Sequence, residues 1–314
     1  MPDTFTIVFY LIAGSVLLWF GAETFVRCSS ALALRMGLTP LVVGLTLVAM
    51  GTSAPEFGVS LLSAARGLGD VATGNVVGSN IANIGLILGL SALIRPIKTE
   101  AQLLKLNLPI VIGASILVAL LFQDGVLSRI EGSVLVLMLI GYLTFTLRKA
   151  RLDVDISVSG VGEQTRKRPL LVVLGLALVG MSMLMMGSFA FVNGAEDLAI
   201  LLGVSPAIVG LTVVAVGTSL PEMATSLLAA YRGQGDIAVG NVVGSNLFNL
   251  FAILGITAAI TPVARGAVDM VSFGTMIGLA VLLVPVMRTG FRINRLEGAG
   301  LLLIYGIYFY RLIP

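Results

Sequence analysis

The stretch GLTPLVVGLTLVAMGTSAPE, residues 37–56, returns as GVSPAIVGLTVVAVGTSLPE at residues 203–222. A second block, GNVVGSNIAN at 74–83, returns as GNVVGSNLFN at 240–249. One ungapped offset of 166 covers both, and over 37–97 against 203–263 it leaves 36 of 61 positions identical. Self-similarity at a fixed offset means one structural unit used twice.

Around these blocks the chain is apolar. It is 57% hydrophobic and 11% charged over 314 residues, where a soluble domain carries about 25% charged residues. A water-facing surface cannot be built from so few ionisable groups, which excludes a soluble enzyme, a nucleic-acid binder and a disordered chain. Apolar runs fall at roughly 5–26, 40–64, 71–94, 108–122, 132–148, 169–192, 206–230, 237–260, 269–287 and 297–313. At about 20 residues per crossing these are some ten transmembrane helices. The N-terminus lacks the basic stretch of a signal peptide, so the first run reads as a span. Cys28 is the only cysteine and there is no histidine, which leaves no intramolecular disulfide and no Cys/His cluster for zinc or haem.

The polar segment 148–168 divides the chain into an N-terminal repeat at 1–147, a cytoplasmic linker at 148–168 and a C-terminal repeat at 169–314. Five spans end on the side opposite to where they began, so the second copy is upside down relative to the first. The expected fold is an all-α integral membrane protein of about ten transmembrane helices in two inverted-topology five-helix repeats, the architecture of secondary transporters. With the N-terminus outside, the loops expected inside hold 15 of the 19 basic residues and only Arg66, Arg129, Arg265 and Arg311 fall outside. The positive-inside bias therefore predicts both termini extracytoplasmic, in a cell inner or plasma membrane.

Of the sixteen acids, only Glu56 and Glu222 lie deep in apolar spans, and they are repeat mates. A carboxylate at the bilayer centre costs at least about 2.5 kcal/mol, so a symmetric pair needs a partner. No Lys or Arg inside these spans supplies one; a bound cation, a proton or a water-filled cavity must. Each Glu follows Gly-Thr-Ser-x-Pro. The proline removes a backbone N–H and displaces the carbonyl four residues earlier, and this predicts freed carbonyls near Gly51 and Gly217. Carbonyls, the hydroxyls of Thr52, Ser53, Thr218 and Ser219, and the two carboxylates are hard oxygen donors suited to Na⁺ and Ca²⁺. The competing reading, an ordinary proline kink, does not explain a buried Glu in both copies. In the second block the Gly-x-x-x-Gly spacing also serves close helix packing. Ser79 and Asn83 share a helix face, as do Ser245 and Asn249, and add uncharged oxygens. Asn75, Asn80, Asn241 and Asn246 are expected to bond backbone or neighbouring helices. Glu23, whose repeat mate is Phe189, reads as a span-end ion pair with Arg27.

These blocks resemble those of the calcium/cation antiporters, and within them the sodium/calcium exchangers, whose two alpha-repeats carry GTS-x-PE and GN-x-x-GSN motifs. The resemblance implies eight helices around a central site, with the first and sixth spans sliding outside them. It implies that Glu56 and Glu222 coordinate both Ca²⁺ and Na⁺. Thr52 and Thr218 would join them at the calcium site, and Ala49, Ser53, Ser79, Ala215, Ser219 and Ser245 would line flanking sodium sites. Where some relatives have an aspartate, this chain has Asn249, so the core holds two carboxylates, a charge matching one Ca²⁺ or two Na⁺. The proton-exchanging branch typically has a glutamate soon after Gly-Asn, where this chain has Val77-Gly78 and Val243-Gly244, which favours Na⁺ over H⁺.

The expected function is exchange of Ca²⁺ for Na⁺ at one shared midplane site, with a Ca²⁺/H⁺ antiporter using the same glutamates as the alternative and a passive cation channel behind both. The expected partners are Ca²⁺, Na⁺ and the lipid bilayer, with H⁺ under the alternative. No resident cofactor, nucleic acid or obligate protein partner is expected, and no enzymatic constellation appears.

Overall fold

The computed structural model describes residues 4–150, 169–202 and 215–312. Most of the expected linker, 151–168, and the opening of the seventh span, 203–214, lie outside the described residues.

Helix α1 (Thr4–Met36) is followed by α2 (Pro40–Thr52) and α3 (Ala54–Ala65), one span bent by 46° at Ser53. Then come α4 (Gly69–Ile94), α5 (Leu103–Leu121), α6 (Arg129–Lys149) and α7 (Leu170–Leu201). The second repeat continues with the short α8 (Ala215–Gly217) and α9 (Leu220–Tyr231). It ends with α10 (Gly235–Ile260), α11 (Met270–Arg288) and α12 (Arg295–Leu312). Seven of these helices are long and apolar enough to cross a membrane, and eight spans result when the bent pair is counted. The expected tenth span is the 18-residue α12, which carries Arg295, Glu297 and Arg311.

Two short ribbons reveal how the halves are related. Strand β1 (Ile97–Lys98) pairs with β4 (Arg292–Ile293), and β2 (Val126–Leu127) pairs with β3 (Val263–Ala264). The offset of 166 carries Ile97 to Val263 and Leu127 to Ile293, so the pair Ile97↔Ile293 in one ribbon maps onto Val263↔Leu127 in the other. Helix α5 runs from β1 to β2 and α11 from β3 to β4, so the ribbons sit at opposite ends of 19-residue helices, about 28 Å apart. Repeat mates β1 and β3 therefore lie on opposite faces, which is the inversion. The symmetry reaches beyond residue 97, where the sequence identity fades.

The loop before α10 lies against β1, with Gly233 beside Arg95 and Gly235 beside Ile97; the loop before α4 lies against β3, with Gly69 beside Ala264. Arg95, Lys98, Arg232, Arg292 and Arg295 thus share one end of the bundle, and Arg66, Arg129, Arg265 and Arg311 the other. This is the partition that the charge distribution predicts.

Helices α4 and α10 form the buried centre. Glycine brings backbones together there. At Gly240 and Gly244 an added methyl would meet Leu41 O at 2.8 Å and Leu45 O at 2.6 Å, so α2 crosses α10 with no room for a side chain. Helices α1 and α7 pack chiefly on each other along the outside, through Gly14 and Gly21 against Gly180, Gly187 and Gly194. Gly14 and Gly21 are the repeat mates of Gly180 and Gly187.

Candidate functional site

The two broken spans put their breaks in the interior of the bundle. Ser53 (φ −79°, ψ 7°) and Ser219 (φ −85°, ψ 7°) end one helical piece and start the next. Pro55 and Pro221 occupy the first turn of α3 and α9, where a missing N–H costs no hydrogen bond. Glu56 and Glu222 follow in the same first turn, where the positive end of the helix dipole favours an anion. The proline rule places the disturbance at the glycines, and the structure places it two residues later. Pro221 has no N–H to donate to the carbonyl of Gly217, which accepts a 2.6 Å hydrogen bond from Ser188 Oγ on α7 instead.

The carboxylates are held crosswise. Ser53 Oγ donates to Glu222 Oε1 at 2.9 Å, and Ser219 Oγ donates to Glu56 Oε1 at 2.9 Å. Each serine thereby spends its proton on the other repeat's acid and keeps its lone pairs. Ser219 also lies 3.3 Å from Ser79 Oγ. Among the described residues the second oxygens, Glu56 Oε2 and Glu222 Oε2, have no partner although both residues are 1% exposed. Buried carboxylate oxygens in that condition demand a ligand or a proton.

A second crossed layer supports the first. Asn75 Nδ2 donates to Glu56 O at 3.1 Å and Ser60 Oγ at 2.9 Å, and its Oδ1 accepts from Thr218 Oγ1 at 3.4 Å. Asn241 Nδ2 reaches Glu222 O at 3.4 Å and Ser226 Oγ at 2.9 Å, and its Oδ1 lies 3.1 Å from Thr52 Oγ1. These asparagines bond the backbone as expected, and they also tie each Thr to the opposite repeat. Ser60 and Ser226 complete the layer. Neither is among the residues expected from the motifs, although both are repeat mates one helical turn beyond the glutamates, and that equivalence is the signal that could have found them.

Asn83 and Asn249 lie where α4 and α10 open into π-helical segments, Asn83–Leu88 and Phe248–Ile253. Both are 1% exposed, and among the described residues neither Oδ1 has a partner, nor does the Oγ of Ser245. Ala49 is fully buried against Gly244, next to Ser245. Ala215 opens α8, and its side chain lies outside the described residues. Among the described residues no three or more His, Cys, Asp or Glu side chains gather. The centre is two carboxylates among hydroxyls and amides.

A helical membrane transporter whose inverted repeats meet at a carboxylate pair is the class these features define. The family profile described as sodium/calcium exchanger protein matches residues 6–148 and 172–313, and the chain belongs to that family. It is 34% identical over 341 residues to the sodium/calcium exchanger MaX1 of Methanosarcina acetivorans, covering 94% of this chain and 95% of that one. It is 36% identical over 274 residues to the inner membrane protein YrbG of Escherichia coli, covering 84% and 82%. The solved structure of the sodium-calcium exchanger NCX_Mj soaked with zero Na⁺ and Ca²⁺ superposes with a TM-score of 0.87 at 31% identity, over 99% of this chain and 100% of that one.

Proposed function

We propose that the protein exchanges Ca²⁺ for Na⁺ by alternating access, the two ions competing for Glu56 and Glu222. The observation that carries this reading is the crossed pair of carboxylates, each with one oxygen fixed by the other repeat's serine and one oxygen without a partner among the described residues. Two negative charges balance one Ca²⁺ or two Na⁺. An empty site would leave both charges unpaired in a closed interior, which opposes crossing without cargo and couples the two fluxes. Thr52, Thr218, Ser53, Ser219, Ser79, Ser245, Asn83, Asn249, Ala49 and Ala215 are the proposed flanking ligands, through side-chain or backbone oxygens. Ca²⁺ and Na⁺ are substrates here, and no resident cofactor enters the proposal.

The proposed orientation puts both termini outside the cell and residues 148–168 in the cytoplasm, between repeats 1–147 and 169–314. It rests on the segregation of basic residues to one end of the bundle. A proton replaces Na⁺ in the rival reading, since a free carboxylate oxygen accepts either. Sodium is favoured because neutral hydroxyl and amide oxygens surround the pair, and these can coordinate a metal cation. Proteoliposomes carrying an imposed Na⁺ gradient at clamped pH test the choice. Calcium uptake that follows the Na⁺ gradient is expected. Uptake that follows only a pH gradient would assign the site to Ca²⁺/H⁺ exchange.

A further inference from the structure

We propose that Asn80 and Asn246 are positioning residues for the ion site: each locks a neighbouring amide so that its oxygen, and not its NH₂, faces the cargo. The inference rests on the reading of Asn83 and Asn249 as ion ligands.

An asparagine amide has two ends of nearly equal shape and opposite hydrogen-bonding sense. Turned one way it presents an acceptor to a cation; turned the other way it presents donors and repels it. Nothing in the Asn83 or Asn249 side chain itself chooses between the two. The choice is made at the far end of a relay. Asn246 Nδ2 lies 3.4 Å from the backbone oxygen of Asn80. A carbonyl can only accept, so the Asn246 amide turns its Oδ1 the other way, to Asn83 Nδ2 at 3.0 Å. Asn83 Oδ1 is then the end left over, buried and without a partner among the described residues.

The mirror relay has a different anchor. Asn80 Nδ2 donates at 3.6 Å to Met276 Sδ, which is also an acceptor without a proton to give. Asn80 Oδ1 accepts from Asn249 Nδ2 at 3.1 Å, and Asn249 Oδ1 is the end without a partner among the described residues. All four asparagines are 1% exposed. Reversing a whole relay would set acceptor against acceptor at its anchor, and reversing one amide alone would set like against like between the two asparagines, at about 1–3 kcal/mol per unsatisfied group. Each relay also crosses the repeats. Asn246 of the second orients Asn83 of the first, and Asn80 of the first orients Asn249 of the second.

A double-substitution cycle separates positioning from packing. Ca²⁺ binding to the solubilised full-length protein is measured by titration calorimetry for wild type, Asn246→Leu, Asn83→Asp and the double variant. Asn246→Leu is expected to weaken Ca²⁺ binding about tenfold, the lower end of what losing an orienting partner costs a metal site. In the Asn83→Asp background the same change is expected to cost nothing, because a carboxylate presents an oxygen whichever way it turns. An equal loss in both backgrounds would assign Asn246 to packing and overturn the inference. A wild-type protein that binds no Ca²⁺ would remove the ligand reading underneath it, a distinguishable failure. If Asn246→Leu does not fold, Asn80→Leu with Asn249→Asp gives the equivalent cycle on the other arm: a loss confined to the Asn249 background supports positioning, and an equal loss in both overturns it.

Discussion

The broken span of the first repeat and that of the second point the same residues inward and meet different neighbours outward. Inward, Thr52, Ser53 and Glu56 make the bonds that Thr218, Ser219 and Glu222 make, each to the opposite half. Outward, the second span is tied to the outer helix pair by Ser188 on Gly217 O and by Glu23 on Arg232. The repeat mates of Ser188 and Glu23 are Ala22 and Phe189, which have neither a hydroxyl nor a carboxylate to form the same ties at Gly51 and Arg66. Groups proposed to hold the cargo must serve the site from both sides of the membrane, and symmetry is what lets one set do so. Groups at the periphery carry no such requirement.

The sharpest test of inward equality is at the carboxylates. Glu56→Gln and Glu222→Gln should each abolish Na⁺-driven Ca²⁺ uptake, by more than about a hundredfold, since either change leaves one charge against a divalent ion. A variant that kept substantial exchange would break the equivalence and the shared-site mechanism with it. The serines come next. Ser53→Ala and Ser219→Ala each remove one orienting hydrogen bond from a buried carboxylate, and each should lower apparent Ca²⁺ affinity by about tenfold. Losses differing between the two by more than a few-fold would show that crossed holding does not make the halves equal.

Much of this was legible in the sequence because it depended on residue identity at fixed spacing. The buried Glu pair, the breaks, the inverted halves and the two-ended charge distribution all follow from the offset of 166 and from where Lys and Arg fall. What was not legible depended on which side chain meets which across the repeats. The crossing of Ser53 to Glu222 is an example, since an offset shows that two residues are equivalent and says nothing about whether they touch. Nor could identity reveal a shared backbone shape carried by unlike residues. Gly125 (φ 90°) and its mate Phe291 (φ 50°) make the same turn, and their carbonyls accept from the mates Arg265 N at 2.8 Å and Thr99 N at 2.9 Å. Phenylalanine is strained there, and glycine is not. Phe291→Gly should therefore stabilise the protein by up to about 1 kcal/mol in a thermal unfolding assay. A destabilisation would mean that the exposed ring contributes more than the strain costs.

The smallest effect bears most directly on the outward difference. Glu23 is joined to Arg27 on its own helix and to Arg232 at the end of α9, with 13% of its side chain exposed and 43% of that of Arg232. Under the alternating access proposed above, crossing to the other access state exchanges the roles of the two inverted halves. The bond Glu23 to Arg232 then maps onto Phe189 and Arg66, which cannot form it. The state described here therefore holds an ion pair that its mirror image lacks, worth about 0.2–1 kcal/mol at this exposure. Glu23→Gln should shift the balance of the two states toward the mirror state by at most about fivefold, read as a change in the distance between labels on α1 and α9. Arg66→Gln should leave that balance unmoved. Equal shifts from both substitutions would mean that the two ends of the bundle are energetically alike and that the asymmetry of contacts has no bearing on which way the site faces.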